Sequence, residues 1–146
     1  MSNQQNACRA LIQMPRHTKC SGVIGYYALK IEVERATNDG RQAIVMMDAE
    51  WCGICQRFKR LLTHPRLKKV LGKVNLLAVD VDEWGPQALR DGGFDFRKIP
   101  AFFQLTGPGG PKGKPMTSAS WKNLSPEHVA QSFKTFLNRS HGDEAF

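Results

Sequence analysis

The chain has 146 residues, of which 41% are hydrophobic, so it can form one ordinary core and is expected to be a single domain. No apolar run approaches the ~20 residues of a membrane span, and the polar residues 1–6 are not followed by the apolar segment of a secretory signal. We therefore expect a cytoplasmic location, or a periplasmic one if a leader has been removed. The formal net charge of +8 leaves an acidic partner and a nucleic acid open.

The N-terminal part of the chain divides into two segments. Residues 1–22 are polar, lack steady periodicity and are predicted to form a flexible extension before a domain at 23–140. Residues 26–36 fit both the alternation of a strand and one face of a helix, and we favour a helix.

A buried strand and a helix meet at the most informative motif of the chain. Ala43–Met47 is a continuous apolar run, which is typical of a strand buried on both faces of a parallel sheet. The motif Trp51-Cys52-Gly53-Ile54-Cys55 follows it and opens a segment with helical periodicity. Two cysteines at this spacing beside a strand indicate a redox pair.

The rest of the chain continues the alternation of strands and helices. His64-Pro65 interrupts the first helix, because proline disfavours helix at the preceding residue and suits a new first turn. The later elements are predicted in chain order: a helix ending at Gly72, a strand at 76–81, a short helix after Gly85-Pro86, a strand at 101–105, a hairpin loop at 107–115, an edge strand at 117–121, a helix capped by Ser125-Pro126, and a frayed tail at 141–146.

The two cysteines of the motif have different expected chemistry. Cys52 stands at a helix start, where free N–H groups and the helix dipole stabilise a thiolate. Cys55 lies almost one turn further on and can form a disulfide with it. A zinc site would need a second close pair of cysteines, whereas Cys8 and Cys20 are far apart in the sequence.

No metal site and no cofactor is predicted. His17 and His64 have cysteines nearby in the sequence, but their spacing does not match a ligand set. We interpret Cys8 and Cys20 as free thiols in a reducing compartment, with a local disulfide or a relay to Cys52 as alternatives.

A basic run extends from Arg57 to Lys73 without an acidic residue. We interpret it as the solvated face of helices whose apolar positions are buried, because no aromatic residue that could stack on bases is interleaved. Nucleic acid is therefore not an expected partner. The basic residues are Arg57, Lys59, Arg60, Arg66, Lys68, Lys69 and Lys73.

Three motifs in this order resemble the thioredoxin-like family over residues 26–139. They are the dithiol motif at 51–55, the strand ending Asp80-Val81-Asp82, and Lys98-Ile99-Pro100-Ala101-Phe102-Phe103. The chain is similar to single-domain bacterial thioredoxin-like proteins and to the C-terminal domain of the membrane thiol–disulfide interchange transporter. The resemblance implies an α/β protein with the thioredoxin fold, in which helices flank a central mixed β-sheet.

The resemblance also implies roles for individual residues. Cys52 would be the exposed attacking cysteine and Cys55 the buried resolving cysteine, which together form the catalytic pair. Pro100 would follow a cis peptide bond, and the backbone of Ile99 would pair with a substrate strand. The expected substrate-binding residues are Trp51, Gly53, Ile54, Ile99 and Pro100.

The chain departs from thioredoxins at three positions. Met46 stands where they carry a buried aspartate, and Ala78 or a neighbour replaces the lysine of the next strand. Asp48 and Glu50 could move protons through water instead, or could be exposed loop acids. Ile54 replaces a proline that tunes the redox poise, so the direction of electron flow stays open.

The sequence therefore predicts a monomeric thiol–disulfide oxidoreductase that acts on protein thiols and disulfides, together with an unidentified redox partner. One alternative is a redox-silent interaction module with the same fold. A second alternative is a basic nucleic-acid-binding protein.

Overall fold

The structure is a computed structural model, and it describes residues 12–13, 22–105 and 110–142. Six α-helices and five β-strands lie within these ranges. The helices are α1 (Gly22–Asn38), α2 (Gly53–Leu61), α3 (Pro65–Val70), α4 (Val81–Trp84), α5 (Pro86–Asp91) and α6 (Pro126–Gly142). The strands are β1 (Ile12–Gln13), β2 (Gln42–Asp48), β3 (Val74–Asp80), β4 (Ala101–Leu105) and β5 (Pro111–Thr117).

The strands form one mixed sheet in the order β1-β3-β2-β4-β5. β1, β3 and β2 are parallel, whereas β4 is antiparallel to both β2 and β5. The predicted central mixed sheet flanked by helices is therefore confirmed. The parallel register pairs Asp48 with Asp80, so the loops after β2 and β3 leave the sheet at the same edge.

Helices cover both faces of the sheet. Neighbouring residues of a strand point to opposite faces, and those of β2 are buried on both sides, as the continuous apolar run predicts. On β4, the ring of Phe102 lies 5.1 Å from Phe58 of α2 and 5.0 Å from Phe133 of α6. The ring of Phe103 lies 5.2 Å from Phe94, which follows α5. The redox helix α2 is therefore packed on the same face as α6.

The break between α2 and α3 follows from His64 and Pro65. The Nδ1 atom of His64 accepts a hydrogen bond from the backbone N–H of Arg66 at 3.1 Å, and Pro65 occupies the first turn of α3. The helix predicted for residues 26–36 is also confirmed, as part of α1.

The hairpin after β4 differs from the prediction. The predicted loop at 107–115 and edge strand at 117–121 are wrong, because β5 begins at Pro111 and a 3₁₀ turn occupies Ser118–Ser120. β5 pairs with β4 on one side, through Lys112 opposite Gln104 and Met116 opposite Phe102. An edge strand tolerates prolines and glycines that a central strand would not, and their abundance here made the segment resemble a loop.

The predicted domain limits stay a prediction, but the elements extend beyond them. β1 belongs to the segment predicted as an extension, and it pairs in parallel with Leu77 and Ala78 at the edge of β3. At the other end, α6 continues two residues past position 140 and ends at Gly142. Within the described ranges, no helix is both long enough and apolar enough to span a membrane.

Candidate functional site

The dithiol lies at the junction between β2 and α2. Cys52 is the N-cap residue of α2, with an extended backbone (φ −81°, ψ 104°), and its Sγ accepts a hydrogen bond of 3.1 Å from the N–H of Cys55. The sulfur thus occupies the place of a capping oxygen, beside the free N–H groups of the first turn. In the reduced protein this position stabilises a thiolate at Cys52.

Cys52 and Cys55 form a disulfide, with their Cα atoms 5.2 Å apart. Their exposure differs: Cys52 retains 6% of its surface, whereas Cys55 retains none. Cys52 is therefore buried and not exposed as the resemblance implied, but of the two cysteines it alone offers any surface to a partner that approaches from solvent. The catalytic roles of the two residues stay a prediction, and this asymmetry is compatible with attack by Cys52 and resolution by Cys55.

The segment before β4 lies against the dithiol. The Sγ of Cys52 is 3.8 Å from the carbonyl oxygen of Ile99, although the two residues are 47 positions apart. The peptide bond between Ile99 and Pro100 is cis, Ile99 is half-buried, and Pro100 is buried. The structure therefore brings together Cys52 and Ile99, two of the residues that the resemblance assigned to the site.

Trp51 immediately precedes Cys52 and is 69% exposed, which makes it the only exposed large hydrophobic residue among positions 28–105 and 110–138, for which side-chain exposure is described. Its Nε1–H donates a hydrogen bond of 2.7 Å to Oδ2 of Asp82, in the first turn of α4. The adjacent Gly53 is exposed and Ile54 is half-buried. These three residues thus form the accessible rim next to Cys52.

Sequence reasoning missed the contact made by Asp82. In the sequence, Asp82 stands out only as part of the acidic end of a strand. The signal that could have found it is the parallel pairing of β2 and β3, because the residues that follow parallel neighbours meet at one edge of the sheet. Trp51 follows the first of these strands and Asp82 follows the second.

The two acids near the motif have different surroundings. Asp48, at the end of β2, is buried and forms an ion pair with Lys59 of α2, while its Oδ1 accepts a hydrogen bond of 2.8 Å from the N–H of Ala49. Glu50 is exposed. Asp48 is therefore not an exposed loop acid, and the ion pair ties the end of β2 to the second turn of the redox helix.

Met46 and Ala78, at which the chain departs from the thioredoxin pattern, lie opposite each other on neighbouring strands. The two residues are register partners on β2 and β3, and both are fully buried. An apolar pair thus replaces two interacting polar groups, so neither change leaves an isolated charge in the core. Asp48 lies two residues further along β2 and therefore on the same face as Met46.

Gln56 also holds the loop in place, and sequence reasoning did not identify it. Its Nε2 donates a hydrogen bond of 3.0 Å to the carbonyl oxygen of Ala49, which also accepts one of 3.2 Å from the N–H of Cys52. Two side chains of α2, Gln56 and Lys59, are therefore bonded to the segment that precedes the dithiol.

The interpretation of the basic run is wrong for one of its seven residues. Lys59 has only 24% of its side chain exposed, because it reaches Asp48. The other six residues are exposed, as a solvated helix face requires. In the described part of the chain, no group of three or more potential ligand side chains could hold a metal ion. His17, Cys8 and Cys20 lie outside the described residues.

Of three solved structures that are similar to this chain, the first shows the fold. The disulphide isomerase from Xylella fastidiosa Temecula1 superposes with a TM-score of 0.58 at 16% identity, covering 77% of this chain and 90% of that chain. Thioredoxin O2 from Arabidopsis thaliana in its oxidized state gives 0.49 at 15% identity, over 87% and 94% of the two chains. The oxidised thioredoxin from Plasmodium falciparum gives 0.46 at 20% identity, over 73% and 90%.

Comparison of the sequence with protein-family models identifies the family of this chain. No curated protein matches the chain significantly. The family model described as thioredoxin-like matches residues 26–107, which is more than half of the chain and includes the dithiol, both central strands and the Ile99–Pro100 bond. The chain therefore belongs to the thioredoxin-like family.

Proposed function

We propose that the protein is a thiol–disulfide oxidoreductase that exchanges disulfides with protein substrates through Cys52 and Cys55. The observation that carries this proposal is the disulfide between a cysteine that caps the N-terminus of α2 and a fully buried cysteine one turn further on. The family membership supports the general kind of chemistry.

Reduction of a substrate would take two exchange steps. The thiolate of Cys52 attacks one sulfur of the substrate disulfide, forms a mixed disulfide and releases the other substrate sulfur as a thiolate, which takes up a proton. The thiol of Cys55 then loses its proton and attacks the Sγ of Cys52. The internal disulfide forms, and the second substrate thiol leaves, so the protein loses the two electrons that the substrate gains. Oxidation of a substrate dithiol is the reverse sequence.

The accessible rim suits a polypeptide substrate. The backbone of Ile99 lies beside Cys52 and can pair with an extended substrate segment, as in strand addition. The exposed indole of Trp51, the residue before Cys52, offers a flat apolar surface, and Gly53 leaves the approach open, since a Cβ atom there would meet no atom within 4 Å.

Proton transfer is the step for which the structure offers a specific candidate. Cys55 must lose a proton before it resolves the mixed disulfide, and Met46 and Ala78 cannot accept one. Asp48 is the buried carboxylate at the end of the adjacent strand, and we assign it this part through an intervening water.

Trapping of substrates tests the proposal. The Cys55→Ser variant cannot resolve mixed disulfides, so it should accumulate protein adducts on Cys52 that dithiothreitol releases. The matched control is the variant with both cysteines changed to serine, which should trap none. Equal trapping by the two variants would contradict the assigned roles.

A redox titration separates this function from a redox-silent interaction module. The purified protein is equilibrated in buffers of defined potential, and the thiols are counted by mass after alkylation. A two-electron midpoint near −270 mV would identify a reductase and one near −120 mV an oxidant. A pair that does not titrate reversibly would instead favour the silent module.

A further inference from the structure

The exposed side of α2, of α3 and of the turn that follows α3 carries a positive charge that the exchange chemistry itself does not use. We call it the cationic face and define it as Arg57, Arg60, Arg66, Lys68, Lys69 and Lys73, all of which are exposed. No acidic residue occurs between positions 57 and 73. The two ion pairs seen among the described residues at Arg35–Glu32 and Lys59–Asp48 involve no member of the face.

The cationic face accounts for most of the excess charge of the protein. The chain has a net charge of +8, so the six residues of the face leave only +2 for the other 140 positions. A charge distributed in this way creates a local positive potential instead of a uniform one, which attracts and orients acidic molecules.

The face begins next to the dithiol. Gly53, Arg57 and Arg60 have the spacing i, i+4, i+7 and are all exposed, whereas Cys55 and Phe58 are buried on the opposite side of α2. At 1.5 Å per residue, Arg57 lies about 7.5 Å and Arg60 about 12 Å along the helix from Cys52. These distances are comparable to the screening length of ~8 Å at physiological ionic strength.

We propose that the cationic face docks an acidic segment of the proteins that exchange disulfides with Cys52. The inference rests on the proposed function and adds the class of substrate: a polypeptide with several carboxylates a few residues from the reacting cysteine. Glu50 precedes the dithiol in the sequence and Asp82 accepts the hydrogen bond of Trp51, so neither of these exposed acids belongs to the cationic face.

An acidic protein suits this face better than a nucleic acid. Single-stranded nucleic acids bind to aromatic platforms, and the only Phe, Tyr or Trp between positions 57 and 73 is Phe58, which is fully buried. The face also adjoins Cys52, with which the disulfide of a protein partner would react.

A set of matched peptides tests the proposal. Each peptide has one cysteine in a mixed disulfide with neutral 2-mercaptoethanol, followed by a tail of six Glu, six Ser or six Lys residues. A six-residue tail spans about 20 Å when extended, which exceeds the distance of about 12 Å along α2 from Cys52 to Arg60. The rate constant for oxidation of the reduced protein is measured at ~0.01 M and ~0.5 M salt, where the screening lengths are about 30 Å and 4 Å.

We expect the Glu peptide to react about tenfold faster than the Lys peptide at low salt, with the Ser peptide between them and the three rates within about twofold at high salt. The Lys68→Glu/Lys69→Glu variant should lose most of this preference. The control is Lys30→Glu/Lys122→Glu, which makes the same change in net charge at exposed positions outside the face and should retain most of it.

Other outcomes would overturn the proposal. It is contradicted if the wild-type protein shows no preference, or if the two double variants lose it equally, since the effect would then be one of overall charge. Retention of RNA at ~0.15 M salt without a peptide preference would assign the face to nucleic acid. Uncharged 2-hydroxyethyl disulfide tests disulfide exchange separately from the docking of acidic segments. If this reagent fails to oxidise the reduced protein, the proposed function itself is contradicted.

Discussion

The ion pair between Asp48 and Lys59 should respond unequally to the loss of either partner. The side chain of Asp48 is 5% exposed and that of Lys59 is 24% exposed, so the carboxylate depends on its partner more than the ammonium does. Changing Lys59 to Met leaves a buried carboxylate with one hydrogen bond, from the N–H of Ala49. Changing Asp48 to Asn keeps an oxygen for that bond and leaves an ammonium that can turn towards water.

The expected magnitudes follow from this difference in burial. Removing one partner of a fully buried ion pair costs about 3–5 kcal/mol, and the partial exposure of Lys59 places Lys59→Met near the lower limit, at about 3 kcal/mol. We expect about 1 kcal/mol for Asp48→Asn. The double variant leaves no isolated charge, so it should be more stable than Lys59→Met alone, with a coupling energy of about 2–3 kcal/mol.

Urea unfolding at pH 7, followed by circular dichroism, measures all four proteins of this cycle. With a slope of about 2 kcal/mol per molar urea, Lys59→Met should lower the midpoint by ~1.5 M and Asp48→Asn by ~0.5 M. An unequal dependence of the two partners is refuted if Asp48→Asn lowers the free energy of unfolding as much as Lys59→Met does. It is also refuted if the double variant loses the sum of the two single losses.

Three further predictions concern single residues. Limiting iodoacetamide should label Cys52 before any other thiol of the reduced protein, as peptide mapping would show, and earlier labelling elsewhere would contradict a thiolate at the helix N-cap. The Asp82→Ala change should release the indole of Trp51 and lower its fluorescence anisotropy, measured in a variant whose other two tryptophans are Phe. Asp82→Asn keeps an acceptor oxygen and should therefore retain most of the anisotropy. Phe58→Ala should lower the free energy of unfolding by about 3–5 kcal/mol in a denaturant titration, because a fully buried ring is removed, and a loss under 1 kcal/mol would contradict its place in the core.

The sequence was sufficient for the elements that carry the site. The apolar run 43–47 predicted a central strand, and the motif at 51–55 predicted the start of the redox helix, because hydrophobic periodicity and helix-start chemistry are local properties. The break at Pro65 was predictable for the same reason. The resemblance assigned Ile99 and Pro100 to the same site as Cys52, which residue patterns alone would not have done.

The missed features depend on contacts between distant parts of the chain. Lys59 resembled the other members of a basic run, and only the packing of α2 on β2 shows that it reaches a buried carboxylate. β5 contains two prolines and one glycine, which favour a loop locally, and its pairing with β4 outweighs that preference at the sheet edge. The bond from Trp51 to Asp82 joins residues 31 positions apart.

The ring of Phe58 packs α2 tightly against the core. It stacks on Trp121 at 5.6 Å and on Phe133 at 5.7 Å, and it meets the edge of Phe102 at 5.1 Å. Phe58 lies one turn after Cys55, so an aromatic cluster immobilises the half of α2 that holds the buried sulfur. A change of redox state would then move only the two sulfur atoms and the hydrogens they gain or lose. We expect partners to distinguish the oxidised and reduced proteins by the chemistry at Cys52 and not by a change of shape.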